Sequence, residues 1–270
     1  MVDPLLDVKS TAMVWLRNDL RVSDHKSFSL ATKSGLRVIA YYSFDPNQFK
    51  TTPWGFKKTE SHRAQFLIET LSELKQSLIG LNISLIIDTI DPVTGIENLV
   101  DTLDIKEIYF QKEWTQEERV VEEKLITKLD EKVNFHSNFD QFLFHPDDVP
   151  FELNNLPEVF TRFRKQCEKT CNVRQLSTEI TPLNKENLLG QSFSIPSLID
   201  LNLEIKKPHP NSAFPFKGGS EEAKSRMDHY FWKTKKLSFY KQTRNGLLGV
   251  DYSSKFSAWL ANGSISAKQI

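Results

Sequence analysis

The feature that most restricts what this chain can fold into is the trading of short apolar runs with longer helical patterns through its first half. Met13-Val14-Trp15-Leu16 and Val38-Ile39-Ala40-Tyr41-Tyr42 both read as buried strands. Between residues 60 and 79, Phe66, Leu67, Thr70, Leu71, Leu74 and Leu78 recur at three- and four-residue steps, with Glu69, Glu73 and Lys75 on other faces. That spacing predicts an amphipathic helix. The series continues with a predicted strand over Ser84–Asp88, a helix over Val93–Leu103, a strand over Glu107–Phe110, a helix over Gln116–Asp130 and a strand over Val133–His136. Such alternation implies right-handed crossovers. The expected fold is α/β, a doubly wound, mainly parallel five-stranded sheet with helices on both faces.

After about residue 140 the pattern breaks into aromatic and proline-rich sequence, with Phe139, Phe142, Phe144, Pro146, Pro150, Phe151 and Pro157. One helix is expected at Glu158–Lys169, where Val159, Phe160, Phe163 and Cys167 form a stripe and Pro157 suits the start. Residues 170–218 are polar with scattered prolines and read as an extended linker packed over the other parts. Helical signals return at Ser220, with a helix to about Trp232, a loop containing Gly246 and Gly249, a helix over Lys255–Ala261, and a first helical turn over Ser264–Ile270. These divisions give an α/β domain over 11–140, a linker with one helix over 141–218, and a helical segment over 219–270.

Composition narrows class more than function. Hydrophobic residues at 39% and charged residues at 26% exclude a collagen, a disulfide scaffold and bulk disorder. The net charge of zero hides an asymmetry: residues 203–270 hold twelve Lys/Arg against five acids. A basic carboxyl-terminal part suits a phosphate-rich partner, although a merely solvated surface fits equally well. Cys167 and Cys171, the two cysteines present, have no histidine at ligand spacing and read as buried or incidental thiols. Met1 to Ser10 lacks the cationic and then apolar order of a secretory signal, and no apolar run approaches the roughly 20 residues of a membrane span. A soluble protein of a reducing compartment is expected: the cytoplasm, or an organelle or nucleus in a eukaryote.

The stretch Trp15-Leu16-Arg17-Asn18-Asp19-Leu20-Arg21-Val22-Ser23-Asp24 lies where the first strand ends, at the edge on which open α/β sheets bind ligands. No Gly-x-Gly-x-x-Gly or Walker loop is present. By residue chemistry alone, a network of Arg17, Asp19, Arg21 and Asp24 fixing the loop is as good a reading as a ligand site. Ser253 and Ser254 read as helix N-caps, Glu117 and Glu118 as acids favoured in a first helical turn, and Trp114 as a packing residue. Arg162, Arg164, Lys165, Lys233, Lys235 and Lys236 read as charged solvent faces, and His62 and His229 as surface or packing histidines.

The same stretch resembles the opening signature of the photolyase/cryptochrome family. Leu156-Pro157-Glu158-Val159-Phe160-Thr161-Arg162-Phe163-Arg164-Lys165 resembles the linker signature of the DASH-type cryptochromes. Tyr240-Lys241-Gln242-Thr243-Arg244-Asn245-Gly246, with Asp251-Tyr252-Ser253-Ser254-Lys255-Phe256-Ser257-Ala258-Trp259-Leu260-Ala261-Asn262-Gly263, is similar to the start of that branch's flavin domain. Departures are His25 where the family usually has Asn, Ser220 where Glu usually follows the Gly-Gly pair, and Ala267-Lys268 where Pro-Arg is common. The resemblance implies a blue-light-dependent flavoprotein. Ser253, Ser254, Lys255, Phe256 and Ser257 would hold the phosphates of FAD at the start of the helix over 255–261, with Tyr240 contacting the flavin. Glu113 would contact a 5,10-methenyltetrahydrofolate antenna. The implied activity is that of a deoxyribodipyrimidine photolyase, a carbon–carbon lyase acting on pyrimidine dimers in single-stranded or looped DNA. A photoreceptor without repair activity and an inactive antenna domain without flavin stay open beside it. The helical flavin domain is expected to be incomplete here, which leaves the electron-relay tryptophans, the substrate cavity and the catalytic residues unassigned.

Overall fold

A computed structural model describes residues 10–270. The amino-terminal segment read above for signal character therefore lies outside the described residues, apart from Ser10. Five parallel strands form one sheet in the order β3-β2-β1-β4-β5. They are β1 (Thr11–Trp15), β2 (Arg37–Ser43), β3 (Ser84–Asp88), β4 (Ile105–Gln111) and β5 (Asn134–Asn138). The crossovers carry α1 (Lys26–Ala31), α2 (Ser61–Gly80), α3 (Pro92–Thr102) and α4 (Gln116–Leu129). The doubly wound expectation holds, with the five strands and α2, α3 and α4 within a few residues of their expected places; no range is predicted for α1 from sequence.

Alternate residues of β1 feed opposite faces, as strand geometry requires. Ala12, Val14 and Leu16 join Phe28 of α1 and Ala64, Leu71, Leu74 and Leu78 of α2 in one core. Met13 and Trp15 join Val93, Ile96 and Val100 of α3 and Leu125 and Leu129 of α4 in the other. Both faces are covered, which is why β1 has no polar alternation to reveal its register. Asp91 caps α3 through Thr94 N at 3.1 Å, and Pro92 opens the helix with its φ already set.

Residues 141–218 run without sustained regular structure except for α5 (Phe160–Thr170) and short 3-10 turns. α5 begins two residues later than the proline suggested, and Cys167 is its buried residue. The segment is not loose. Leu198, Leu201 and Leu203 enter the α2 core, and the Asn187 amide bridges Val38 N, Val38 O and Asn82 O at 2.7–2.9 Å.

The last fifty residues hold α6 (Ser220–Asp228), a π turn over His229–Lys233, α7 (Tyr240–Thr243) and α8 (Ser257–Asn262). Trp259, Ala223 and Ile265 build a small third core, against which Phe66 of α2, Phe214 and Phe216 pack. Phe66 thus turns away from the sheet core that its helical spacing suggested, toward the carboxyl-terminal part. The helix expected over 255–261 starts later: it is a single six-residue turn-and-a-half without a side-chain cap, so Ser253 and Ser254 are not N-caps. Over Ser264–Ile270 the turn is 3-10, Ala267–Gln269, closed by a capping box of Ser266 and Gln269.

Candidate functional site

The loop after β1 is a joint between the sheet and the carboxyl-terminal part. Leu20 N donates to Asn262 O at 3.1 Å, and Arg21 Nη1 donates to Gly263 O at 3.1 Å. Asp24 accepts from Ser177 N at 2.7 Å, Ser266 Oγ at 2.5 Å and Lys268 Nζ at 2.9 Å; Lys268 also pairs with Asp140. Gly263 sits at φ +71°, and a Cβ there would lie 2.1 Å from Asn18 O. Only glycine permits that approach. Arg17 is spent on Glu122, the Glu118 carbonyl and the Trp15 ring. Arg17, Asp19, Arg21 and Asp24 thus fix the loop, chiefly through partners outside the four, while Arg17 and Asn18 also line two cavities.

The family departures are absorbed locally. His25 Nδ1 accepts from Phe28 N at 3.2 Å, capping α1 as an Asn would, which leaves the proton on Nε2. That nitrogen lies 3.1 Å from Asp19 Oδ2, within ion-pair range though off the line of a good hydrogen bond. Burial opposes ionisation of Asp19, but His25 and the Arg17 amide hold its carboxyl below the usual range. Ser220 donates its hydroxyl to Ser264 O at 2.7 Å, and Lys268 keeps the charge an Arg would bring.

Glu113 follows β4 and is buried, with 5% of its surface exposed. Its Oε1 accepts from Asn18 N at 3.2 Å and Gln111 Nε2 at 3.3 Å; its Oε2 accepts from Gln141 Nε2 at 3.4 Å. All three donors are neutral. Burial, joined by the charge of Glu118, pushes the Glu113 carboxyl up to about 7. Gln111 Oε1 is buried without a partner, so turning that amide over would give a protonated Glu113 its acceptor. Beyond Gln141 opens a groove of about 460 Å³, walled by Trp114, Phe139, Phe142, Lys26 and Lys268. Trp114 packs on Phe139 at 5.1 Å and on Phe142 at 5.3 Å, as a packing residue does, and is also partly exposed. Glu113 does not line the groove; it stands behind Gln141. Glu117 and Glu118 do occupy the first turn of α4, with Thr115 as N-cap.

Residues 250–257 form the second region. Lys255 has φ +66° and Phe256 φ −72°, ψ −14°, a left-handed residue followed by a right-handed one. Alternating left- and right-handed residues are a backbone form that can turn successive N–H groups, here 255–257, to one side. Among the described residues those amides donate to no backbone carbonyl, and the hydroxyls of Ser253, Ser254 and Ser257 have no partner. The loop therefore offers unspent donors. The Lys255 ammonium rests 3.3 Å from the Tyr252 ring centroid, and Phe256 is buried against Tyr230 and Phe231. α8 begins at Ser257, the last of residues 255–257, and with six residues is too short to contribute much dipole of its own. Tyr240 opens α7 and is exposed, with no contact to this loop among the bonds described; Thr243 of the same turn donates to Tyr252 O at 3.0 Å.

Sequence reasoning missed Arg226, which is 4% exposed and makes four hydrogen bonds to residues 250–254. It also missed the partner of His229, whose Nε2 lies 3.3 Å from Asp251 Oδ1. A polar helix that brings one arginine to its apolar side was the available signal. Arg164 pairs with Glu168 on the solvent face of α5, as a charged surface would. No group of three or more His, Cys, Asp or Glu residues among the described ones could hold a metal ion.

A family model described as DNA photolyase matches residues 12–184, the sheet with its signature loop and more than half of the linker. The chain belongs to the photolyase/cryptochrome family. It is 42% identical over 264 residues to cryptochrome DASH of Gloeobacter violaceus, covering 96% of this chain and 52% of that one. With cryptochrome DASH of Synechocystis it shares 36% over 278 residues, covering 97% and 54%. The solved Synechocystis cryptochrome superposes with a TM-score of 0.89 at 36% identity, covering 98% of this chain and 55% of that one. A bacterial class III photolyase from Agrobacterium tumefaciens shares the fold, with a TM-score of 0.75 at 20% identity and coverage of 98% and 52%. This photolyase-family chain spans about half the length of the DASH-type relatives it matches. No helix among the described residues is long and apolar enough to cross a membrane.

Proposed function

We propose that this chain is the amino-terminal portion of a flavin-dependent photolyase of the DASH type, which repairs cyclobutane pyrimidine dimers in single-stranded or looped DNA. Residues 219–270 would begin its flavin domain, after the sheet domain over 11–140 and the linker over 141–218. The observation that carries this reading is loop 250–257, whose amides at 255–257 and hydroxyls at Ser253, Ser254 and Ser257 are donors without acceptors. A pyrophosphate supplies the acceptors such a loop lacks. Bound flavin supplies the electron that light drives into the dimer and that returns when the ring has opened. The residues present would bind and orient: Ser253 to Ser257 take the phosphates, Lys255 and Phe256 fix the loop's turn, and Tyr240 stands exposed before it.

The antenna reading places a reduced folate in the groove beside Glu113. The planar walls of Trp114, Phe139 and Phe142 suit a pterin ring, and a carboxyl suits its donor edge. Contact with Glu113 requires the Gln141 side chain to swing aside. Lys235, Lys241 and Arg244 are exposed and have no ion-pair partner among the described residues, which supports DNA phosphates as a partner of the basic part.

The test is to express the full-length parent, record its flavin absorbance, and follow dimers in single-stranded DNA under blue light. Loss of dimers in light and not in darkness is expected. A parent that holds flavin and leaves dimers intact would replace repair with light sensing.

A further inference from the structure

Arg226 of α6 has its guanidinium enclosed between Phe216 and Tyr230, at 5.0 and 5.3 Å from the ring centroids. Nη2 donates to Val250 O at 2.9 Å and Ser253 O at 3.0 Å, Nε to Ser254 O at 3.0 Å, and Nη1 to Asp251 Oδ1 at 2.8 Å. One fork thus collects three carbonyls and one carboxylate from five consecutive residues. Each of those oxygens would repel a phosphate if it faced the ligand. With the carbonyls of Ser253 and Ser254 drawn inward, the chain enters Lys255 in the left-handed conformation that turns the following amides outward.

We propose that Arg226 is the positioning residue of the flavin-phosphate loop: it draws the acceptors of Val250, Asp251, Ser253 and Ser254 away from the ligand side, so that donors predominate there. The inference rests on the reading of loop 250–257 as the pyrophosphate site. It assigns the work to the fork and not to charge alone, because a lysine ammonium is a point donor that cannot span Val250, Asp251, Ser253 and Ser254 together. Asp251 is part of the arrangement. Burial opposes its ionisation, and Arg226 with His229 nevertheless keeps it below the usual carboxylate range, so the acid remains a paired anion turned away from the ligand.

The experiment uses the full-length parent, stripped of flavin and titrated with FAD and with riboflavin, which lacks phosphates, at a temperature where circular dichroism shows each variant folded. For wild type, FAD is expected to bind more tightly than riboflavin. Arg226→Lys and Arg226→Met should weaken FAD by at least about tenfold, the loss of one charge-assisted hydrogen bond or more, with riboflavin unchanged. A merely structural arginine would lower the melting temperature and weaken both ligands alike, or neither, and either result overturns the proposal. If Arg226→Met does not fold, Arg226→Lys decides by the same selectivity. Should wild type bind FAD no better than riboflavin, the loop is no phosphate site, and the functional reading falls before Arg226 is at issue.

Discussion

Glu113 shows how far a single residue can be read. Its acid character and its place after β4 were legible, but its burial was not, because Gln141 and Asn18 reach it from 28 residues later and 95 earlier. Burial raises its folded-state pKa from 4.5 to about 7, so the folded chain penalises the carboxylate. Below pH 4 both folded and unfolded states carry the proton and the penalty is absent; it grows as pH rises and is complete above about 7. Glu113→Gln should therefore be stabilised relative to wild type at pH 8, by on the order of 3 kcal/mol, and not at pH 4. Urea midpoints at the two pH values measure this. Equal midpoints at pH 8 would mean the carboxyl is solvated. Asp24 is the opposite case, a carboxylate held below its usual range: burial opposes ionisation, but Ser266, the Ser177 amide and Lys268 prevail. Its contribution is present at neutral pH and is lost as pH falls through the lowered value. Asp24→Asn should cost about 3 kcal/mol by leaving Lys268 with Asp140 alone, which thermal melts at pH 7 would register.

Among the elements, α6 has an unusual beginning. Its N-cap is Gly219 at φ +114°, which has no side chain to give, and the cap comes from α2 instead. Glu73 Oε1 accepts from Ser220 N at 2.8 Å and Glu221 N at 3.1 Å, and Glu69 accepts from Gly218 N at 2.9 Å. A Cβ on Gly219 would lie 2.1 Å from Glu73 Oε2. Glu73→Ala should cost about 1–2 kcal/mol, and Gly219→Ala about 2–3 kcal/mol through strain and collision. The double variant should cost less than the sum, because removing the carboxylate relieves the collision. Strict additivity in denaturant melts would place Glu73 away from the cap.

The helix expected over 255–261 went astray for a related reason. The helix does form there, but its start was set by contacts outside the window: the pull of Arg226 on Ser253 and Ser254, and the seat of Lys255 on Tyr252. A left-handed Lys255 ends any helical run that would include it. The sheet, by contrast, was legible element by element, since strands buried on both faces stand out as short continuous apolar runs and amphipathic helices write their period into local sequence.

On the scale of the whole molecule, one loop couples the two parts. The segment from Arg17 to Asp24 leaves β1 and holds Asn262, Gly263, Ser266 and Lys268, so the motif that most resembles the family works as the seam. This seam holds the third core, with Trp259 at its centre and Lys217 O accepting from its indole at 3.1 Å, against α2. The donor-lined loop 250–257 is carried on that same small core, and its orientation depends on the seam and on Arg226 together. The most direct test of that loop as the flavin-phosphate site is a crystal structure of the full-length parent with FAD. Pyrophosphate oxygens are expected at about 2.7–3.1 Å from the amides of residues 255–257, with Arg226 still on the carbonyls of 250, 253 and 254. A pyrophosphate bound elsewhere, with those amides facing water, would contradict the assignment.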